Sequence, residues 1–203
     1  MNGNRTPAVS DLYERLAGHY IVDRSRTSWN EARWLDRFLD GLPAERHILD
    51  LGCGAGAPIG KYLLAHGCSI TGIDTSPTLI NHCRGHSPQG KWLIADMRGL
   101  SLGIKFDGLI AWDSFFHLGH ADQREMFPIF REHAAPEALL LFTSGTEHGE
   151  AIGEYHSQPL YHASLATAEY ESLLADNGFR VVAYVPENPA CGEHTIWLAR
   201  YTS

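Results

Sequence analysis

The sequence is poor in lysine and has no concentrated positive charge. Three of its 16 basic residues are lysine, and 24 acidic residues leave a formal net charge of −8. Without a block of basic residues, the chain lacks the patch that binds a phosphate backbone, and its overall negative field would repel one. We therefore expect no nucleic-acid partner and favour a small molecule as the ligand.

Membrane and secretion signals are also missing from the sequence. It contains no run of about 18 apolar residues, which a membrane-spanning helix needs. Its first residues, MNGNRTPAVSDLYERL, include no apolar core of a secretory signal. The four cysteines form no C-x-x-C pair. We therefore expect them to be reduced thiols. We expect a cytoplasmic protein that does not associate with membranes.

Strand and helix patterns alternate along most of the chain. Helices are predicted over 10–18, 28–40, 57–66, 77–84, 121–134 and 167–177, the penultimate one kinked or split by Pro128. Strands are predicted at 47–51, 69–74, 92–96, 106–113, 138–145, 179–185 and 194–201. This alternation predicts an α/β fold with a mostly parallel sheet. The last two strands should pair antiparallel, because about eight residues between them are too few for a crossover.

A glycine-rich loop, ILDLGCGAGAPIG at 48–60, follows the first predicted strand. Glycine permits positive φ and lets the backbone approach a ligand closely. Gly52, Gly54 and Ala57 satisfy the dinucleotide pattern G-x-G-x-x-G/A, and Asp74 lies where a ribose partner belongs. The loop alone is therefore compatible with NAD.

Acidic residues around this loop favour a different ligand. Asp50 stands two residues before the first glycine, where a carboxylate would repel a pyrophosphate. With Asp74 and Asp96 it forms an acidic edge that suits an ammonium group, a ribose diol and an adenine amine. The Tyr-x-x-x-Lys pair of short-chain dehydrogenases is absent as well, since no lysine has a tyrosine four residues earlier.

Four segments, in order, resemble the motifs of class I S-adenosylmethionine-dependent methyltransferases. They are ILDLGCGAG, TGIDTSPTLI, WLIADMRGL and FDGLIAWDSFFHL, and the resemblance covers about residues 10–201. It implies a Rossmann-like, doubly wound sheet of seven strands with an antiparallel last strand. It also implies one domain over 1–203, with a helical cap at 1–42 and a core at 45–203.

The same resemblance implies S-adenosylmethionine as the cofactor. Asp74 is expected on the ribose, Asp96 and Met97 around the adenine, and Tyr20 and Arg24 at the methionyl end. The full set of expected cofactor residues is Tyr20, Arg24, Asp50, Gly52, Cys53, Gly54, Gly56, Asp74, Thr75, Asp96, Met97, Trp112 and Asp113. Aromatic candidates for contact with the sulfonium are Tyr13, Tyr20, Trp29, Trp112, Phe115 and Phe116.

The methyl acceptor is expected near a long loop at 144–163. His148 and His162 in this loop are candidate general bases for a hydroxyl or amine acceptor, and the alternative is a solvated lid. His117 and His120 give no compact ligand set, so we expect no metal. The predicted function is methyl transfer to a small molecule. A non-catalytic S-adenosylmethionine sensor and an NAD-dependent oxidoreductase remain alternatives.

Overall fold

The computed structural model describes residues 6–26 and 30–202, so the predicted helical start at 28–29 lies outside the described residues. Its main sheet has seven strands. They are β1 (His47–Leu51), β2 (Ser69–Asp74), β3 (Lys91–Ile94), β4 (Phe106–Ala111), β5 (Ala134–Ser144), β8 (Phe179–Asn188) and β9 (His194–Tyr201). Their order is β3-β2-β1-β4-β5-β9-β8. Strands β1 to β5 pair in parallel, whereas β9 runs antiparallel to both neighbours, which confirms the predicted architecture.

Seven α-helices surround or cap this sheet in the described chain. They are α1 (Thr6–Arg15), α2 (Ala17–Arg26), α3 (Ala32–Asp40), α4 (Ile59–Ala65), α5 (Pro77–His86), α6 (His120–His133) and α7 (Thr167–Asp176). Apolar clusters cover both faces of the sheet, one centred on Phe115 and Phe142 and the other on Phe38 and Ile48. Because both faces are buried, the strands are continuous apolar runs rather than alternating ones. None of the described helices combines the length and apolarity needed to cross a membrane.

The N-terminal segment differs from the prediction of one helix ending at Gly18. The structure has two helices there, and Gly18 lies inside α2. Tertiary burial explains the difference: Leu12 of α1 packs against Tyr161, and Ala17 of α2 packs against Leu79. This packing outweighs the weak helix propensity of a glycine.

The region 144–163 is a hairpin, and the prediction of a long loop is wrong. Strands β6 (Gly149–Tyr155) and β7 (Gln158–Ser164) pair antiparallel around a two-residue turn. His156 and Ser157 in the turn both have positive φ, at 48° and 59°, as a type I′ turn requires. The Asn-Gly pair that commonly indicates such a turn is absent. Because β6 is almost entirely exposed, its sequence also lacks the apolar alternation that predicts a half-buried strand.

Pro128 was predicted to kink or split its helix, and helix α6 runs through it without a split. Pro128 is exposed, while Met126, Phe127 and Phe130 on the same helix are buried in the core. These anchors hold the helix on both sides of the proline.

Candidate functional site

A cleft lies at the carboxyl ends of the parallel strands, beneath α1 and α2, and about 670 Å³ of empty space is associated with it, part of which is open solvent. The sheet side of the cleft includes Gly52, Gly54, Ile73, Asp74, Thr75, Ala95, Asp96, Met97, Arg98, Asp113 and Ser114. The cap and the flanking segments add Val9, Ser10, Tyr13, Tyr20, Leu79, His117 and Leu118. Strand ends in an open α/β sheet are where ligands bind.

The loop after β1 needs glycine for both conformation and space. Gly52 and Gly54 have φ of +78° and +53°, in the left-handed region. A Cβ on Gly52 would overlap the Cβ of Ser114 and lie 2.9 Å from its Oγ. A Cβ on Gly54 would lie 2.7 Å from the Tyr20 hydroxyl. The loop is therefore a floor that keeps the cleft open under the cap.

Asp74 ties this loop to the start of α5. Its Oδ2 accepts a hydrogen bond from the Gly54 backbone N–H at 2.9 Å. Its Oδ1 accepts one from the Ser76 backbone N–H, also at 2.9 Å. Burial raises the pKa of Asp74, and the backbone hydrogen bonds act against that rise. The carboxylate is thus fixed in orientation at the edge of the cleft.

Asp50 lies beneath the glycine loop rather than in the lining of the cleft. Only 3% of its surface is exposed. Burial, together with the negative charge of Asp74, raises the pKa of Asp50 to about 7. A positively charged group bound nearby would lower this pKa and so favour the ionised carboxylate near neutral pH.

Asp96 is paired with a cation that the sequence patterns did not single out. Its Oδ2 lies 2.5 Å from Nη2 of Arg98, whose Nη1 lies 3.2 Å from Oδ2 of Asp122. Burial acts to raise the pKa of Asp96, but the hydrogen bonds and charge of Arg98 outweigh it and lower the pKa. One end of the cleft therefore carries one guanidinium between two carboxylates, with an excess of one negative charge.

A hydrogen-bonded series joins the cap to the hairpin across the other end of the cleft. The Tyr13 hydroxyl lies 3.0 Å from Nε2 of His117, and Nδ1 of His117 lies 2.9 Å from the carbonyl oxygen of Tyr161. Burial lowers the pKa of His117 to about 4, so its ring is neutral at pH 7. A carbonyl only accepts, so the ring proton is on Nδ1 and Nε2 accepts from Tyr13.

Asp113 has an unusual backbone and a partner from a distant segment. Its φ is +51°, and its backbone N–H donates to Oγ1 of Thr143 at 3.0 Å. Its Oδ1 lies 2.7 Å from Nε2 of His194, at the start of β9. The hydrogen bond and charge of Asp113 raise the pKa of His194. A strained residue held from two sides beside a cleft is a feature of functional sites.

Two buried donors beside this region have no hydrogen-bond partner among the described residues. They are Nε of Arg24 and Nε1 of Trp112. Arg24 forms an ion pair through Nη2 with Glu31 at 3.2 Å, and the Trp112 ring lies 5.6 Å from His194. Unpaired buried donors are costly, and a ligand oxygen is one way to satisfy them.

The cleft brings together eight of the thirteen expected cofactor residues. Those that line it are Tyr20, Gly52, Gly54, Asp74, Thr75, Asp96, Met97 and Asp113. Those outside its lining are Arg24, Asp50, Cys53, Gly56 and Trp112. Gly56 serves packing, because a Cβ there would lie 3.1 Å from the Cys83 sulfur. Trp29 lies outside the described residues, and Phe115 is buried in the core.

The two expected general bases do not line the cleft. The His162 ring lies 4.9 Å from that of His117 and 5.3 Å from that of Phe116, and His162 borders a second cavity. His148 borders the same cavity and stacks on His120 at 4.3 Å. His117 lies in the cleft itself, where the sequence reading gave it no catalytic role. Across 6–26 and 30–202, no three His, Cys, Asp or Glu side chains are arranged to hold a metal ion.

Comparison with known proteins finds similarity to methyltransferases. The family described as "Methyltransferase domain" matches residues 48–137. An O-methyltransferase from Pyrenophora dematioidea is 29% identical over 163 residues, which cover 72% of this chain and 60% of that protein. A trans-aconitate 2-methyltransferase from Escherichia fergusonii is 31% identical over 137 residues, covering 65% of this chain and 50% of the relative. The chain thus spans about half to three fifths of the length of these curated relatives.

A solved structure shares the fold over the whole chain. The 1,6-didemethyltoxoflavin-N1-methyltransferase of Burkholderia thailandensis, with bound 1,6-didemethyltoxoflavin and S-adenosylhomocysteine, has a TM-score of 0.75. It is 17% identical, and the match covers 100% of this chain and 92% of that one. Together with the ordered motifs and the seven-stranded sheet, these matches confirm the resemblance seen in the sequence. Residues 48–137 of this chain are therefore similar to a methyltransferase domain, and the chain has the fold of a methyltransferase solved with S-adenosylhomocysteine.

Proposed function

We propose that this protein transfers a methyl group from S-adenosylmethionine to a hydroxyl or amine of a small molecule. The observation that carries the proposal is the cleft itself, in which Asp74, Asp96 and Asp113 face a neutral Tyr13–His117 pair. Relatives named as an O-methyltransferase and as a trans-aconitate 2-methyltransferase support it. We treat 1–203 as one domain in which 1–42 caps the core, as the fold of the family implies.

The residues of the cleft fit this cofactor. Asp74 would hold the ribose hydroxyls, Asp96 and Met97 the adenine, and Asp50 and Asp113 the positively charged methionyl end. The unpartnered Nε of Arg24 and Nε1 of Trp112 supply donors for a carboxylate, although neither residue lines the cleft in this conformation. The cofactor supplies an electrophilic methyl group on a positively charged sulfur. The protein mainly supplies alignment and a site that excludes water.

Tyr13 and His117 are the groups best placed to orient the acceptor and take its proton. Since the Tyr13 proton is donated to His117, the lone pairs of the Tyr13 oxygen remain free to accept from an acceptor hydroxyl or amine. As the acceptor proton moves to the Tyr13 oxygen, the Tyr13 proton moves to Nε2 of His117. The negative charge of Asp113 favours the protonated ring. We therefore assign to His117 the role that the sequence suggested for His148 and His162.

The substitution His117→Gln tests the proton-accepting role of His117 separately from its structural hydrogen bonds. A glutamine amide can still donate to the Tyr161 carbonyl and accept from Tyr13, but it does not accept a proton near neutral pH. We expect turnover of His117→Gln to fall by about 10²–10⁴-fold, the usual contribution of a positioned general base. The affinity for S-adenosylhomocysteine, measured by calorimetry, should stay within about threefold. Unchanged turnover would remove the proton-accepting role.

The raised pKa of Asp50 predicts pH-dependent binding of the cationic cofactor. A positive ligand selects the carboxylate, so a group with a pKa of about 7 must lose a proton on binding at lower pH. We expect the affinity for S-adenosylmethionine to fall by more than about tenfold between pH 7 and pH 5. In Asp50→Asn the affinity for S-adenosylmethionine should be nearly the same at pH 7 and pH 5. Parallel pH profiles of the two proteins would contradict the assignment.

Transfer of a labelled methyl group tests the proposed activity. Purified protein is incubated with methyl-labelled S-adenosylmethionine and the small-molecule fraction of a cell extract, and labelled products are identified by mass spectrometry. We expect a new labelled small molecule. Binding of the cofactor without any labelled product would favour a sensor, whereas thermal stabilisation by NAD alone would favour an oxidoreductase.

We also propose that the protein works in the cytoplasm, in small-molecule metabolism. All four of its cysteines, Cys53, Cys68, Cys83 and Cys191, are free thiols. Free thiols are typical of reducing compartments. The net charge of −8 supports a small-molecule partner over a nucleic acid.

A further inference from the structure

A carboxylate of the cap binds the start of α5, beside the cleft. Oε1 of Glu14 accepts a hydrogen bond from the Thr78 hydroxyl at 2.7 Å. Oε2 of Glu14 accepts from the Thr78 backbone N–H at 3.2 Å and from the Ser76 hydroxyl. These hydrogen bonds lower the pKa of Glu14, so the side chain is ionised at neutral pH. A negative charge at the start of a helix is also favoured by the helix dipole.

The same contacts continue to the acid that we place on the ribose. The Ser76 hydroxyl accepts from the Leu79 backbone N–H at 3.1 Å and so caps α5. The Ser76 backbone N–H donates to Oδ1 of Asp74, whose Oδ2 binds the backbone N–H of Gly54. An unbroken series of hydrogen bonds therefore runs from Glu14 through Ser76 and Asp74 to the glycine loop.

The position of helix α1 also determines where three of the residues that line the cleft lie. Val9, Ser10 and Tyr13 of this helix line the cleft. The apolar contacts of α1, through Val9 and Leu12, are with the hairpin and not with the loop that holds Asp74. Glu14 is thus the side chain that fastens α1 to the ribose end of the cleft.

We propose that Glu14 is a positioning residue that holds the cap closed over the ribose end and slows the release of the cofactor. The inference rests on the proposed function, since it takes the cleft as the cofactor site. Glu14 does not line the cleft, and it acts through Ser76 and through the placement of α1. Glu14 lies outside residues 48–137, the segment that matches the methyltransferase family.

Dissociation of S-adenosylhomocysteine tests this inference. Glu14→Gln keeps the size of the side chain but removes its charge and one acceptor. We expect the dissociation rate, measured by stopped-flow displacement, to rise about fivefold or more, as for a coupling between sites. Asp11→Asn, an exposed change on the same helix, is the matched control and should leave the rate unchanged. A rate for Glu14→Gln within twofold of wild type would overturn the inference.

A double-mutant cycle distinguishes positioning from a general loss of stability. Thr78→Val removes the hydroxyl that Glu14 binds, so the effects of Glu14→Gln and Thr78→Val on dissociation should be strongly non-additive. Additive effects would overturn the proposed link. If wild-type protein failed to bind S-adenosylhomocysteine at all, the proposed function would fail, which is a different result from normal binding with an unaffected Glu14→Gln variant.

Discussion

Alanine at position 52 is expected to abolish cofactor binding and to destabilise the fold by about 3 kcal/mol or more. Two costs add at this position. The φ of +78° is unfavourable for any residue with a Cβ, and the new Cβ would overlap Ser114. Ser114 cannot retreat freely, because its hydroxyl donates to the Leu51 carbonyl at 2.6 Å. The loop must therefore move, and the part of the cleft that Gly52 lines would be distorted.

Gly67 provides a matched control for this substitution. Its φ is +77°, almost the same as at Gly52, but a Cβ there would meet nothing within 4 Å. Gly67→Ala should therefore cost only the backbone strain, about 1–2 kcal/mol, and should leave cofactor affinity unchanged. Urea unfolding and calorimetric titration with S-adenosylhomocysteine measure the two effects. Equal losses of stability in the two variants, with binding retained in Gly52→Ala, would contradict the steric account.

Removing the carboxylate of Asp74 is expected to weaken cofactor binding by at least about 1–3 kcal/mol, or roughly fivefold to 150-fold. The substitution Asp74→Ala deletes the proposed partner of the ribose hydroxyls. It also releases the backbone N–H groups of Gly54 and Ser76, which Asp74 holds at 2.9 Å. The glycine loop and the start of α5 then lose their common anchor, so the cleft is less well organised before binding.

Asp107 is a suitable comparison for this variant. Its Oδ2 also accepts from a backbone N–H, that of His47, at 2.8 Å. It lies near the start of β4, at the opposite end of the sheet from the cleft. Asp107→Ala should lower stability without changing the affinity for S-adenosylhomocysteine in calorimetric titration. Unaltered affinity in Asp74→Ala would remove the ribose assignment.

The fold was predictable where short-range patterns decide the structure. The apolar runs at β1 and β2 match the predicted bounds, and Ser76 caps α5 as its position before Pro77 indicated. The floor of the cleft follows from the same kind of signal, since Gly52, Asp74 and Asp96 each stand at or just beyond a strand end. Local sequence fixes such positions because buried strands and their glycine turns have strong composition signals.

The remaining features depend on contacts between distant segments. Tyr13 meets His117, Asp113 meets His194, and neither spacing has a sequence pattern. Hairpin β6–β7 forms although its outer strand is exposed, because β7 packs on α1. His117 illustrates the consequence: its position after β4 was visible, but its neutral state and fixed tautomer come from burial and from the Tyr161 carbonyl.

Calorimetric titration of the wild-type protein tests the central claim most directly. The claim is that the acidic cleft beneath α1 and α2 holds an adenosyl cofactor with a positively charged end rather than a dinucleotide. The account predicts saturable, single-site binding of S-adenosylmethionine and S-adenosylhomocysteine, and no measurable heat with NAD. Saturable binding of NAD, with no heat from either adenosyl compound, would contradict it.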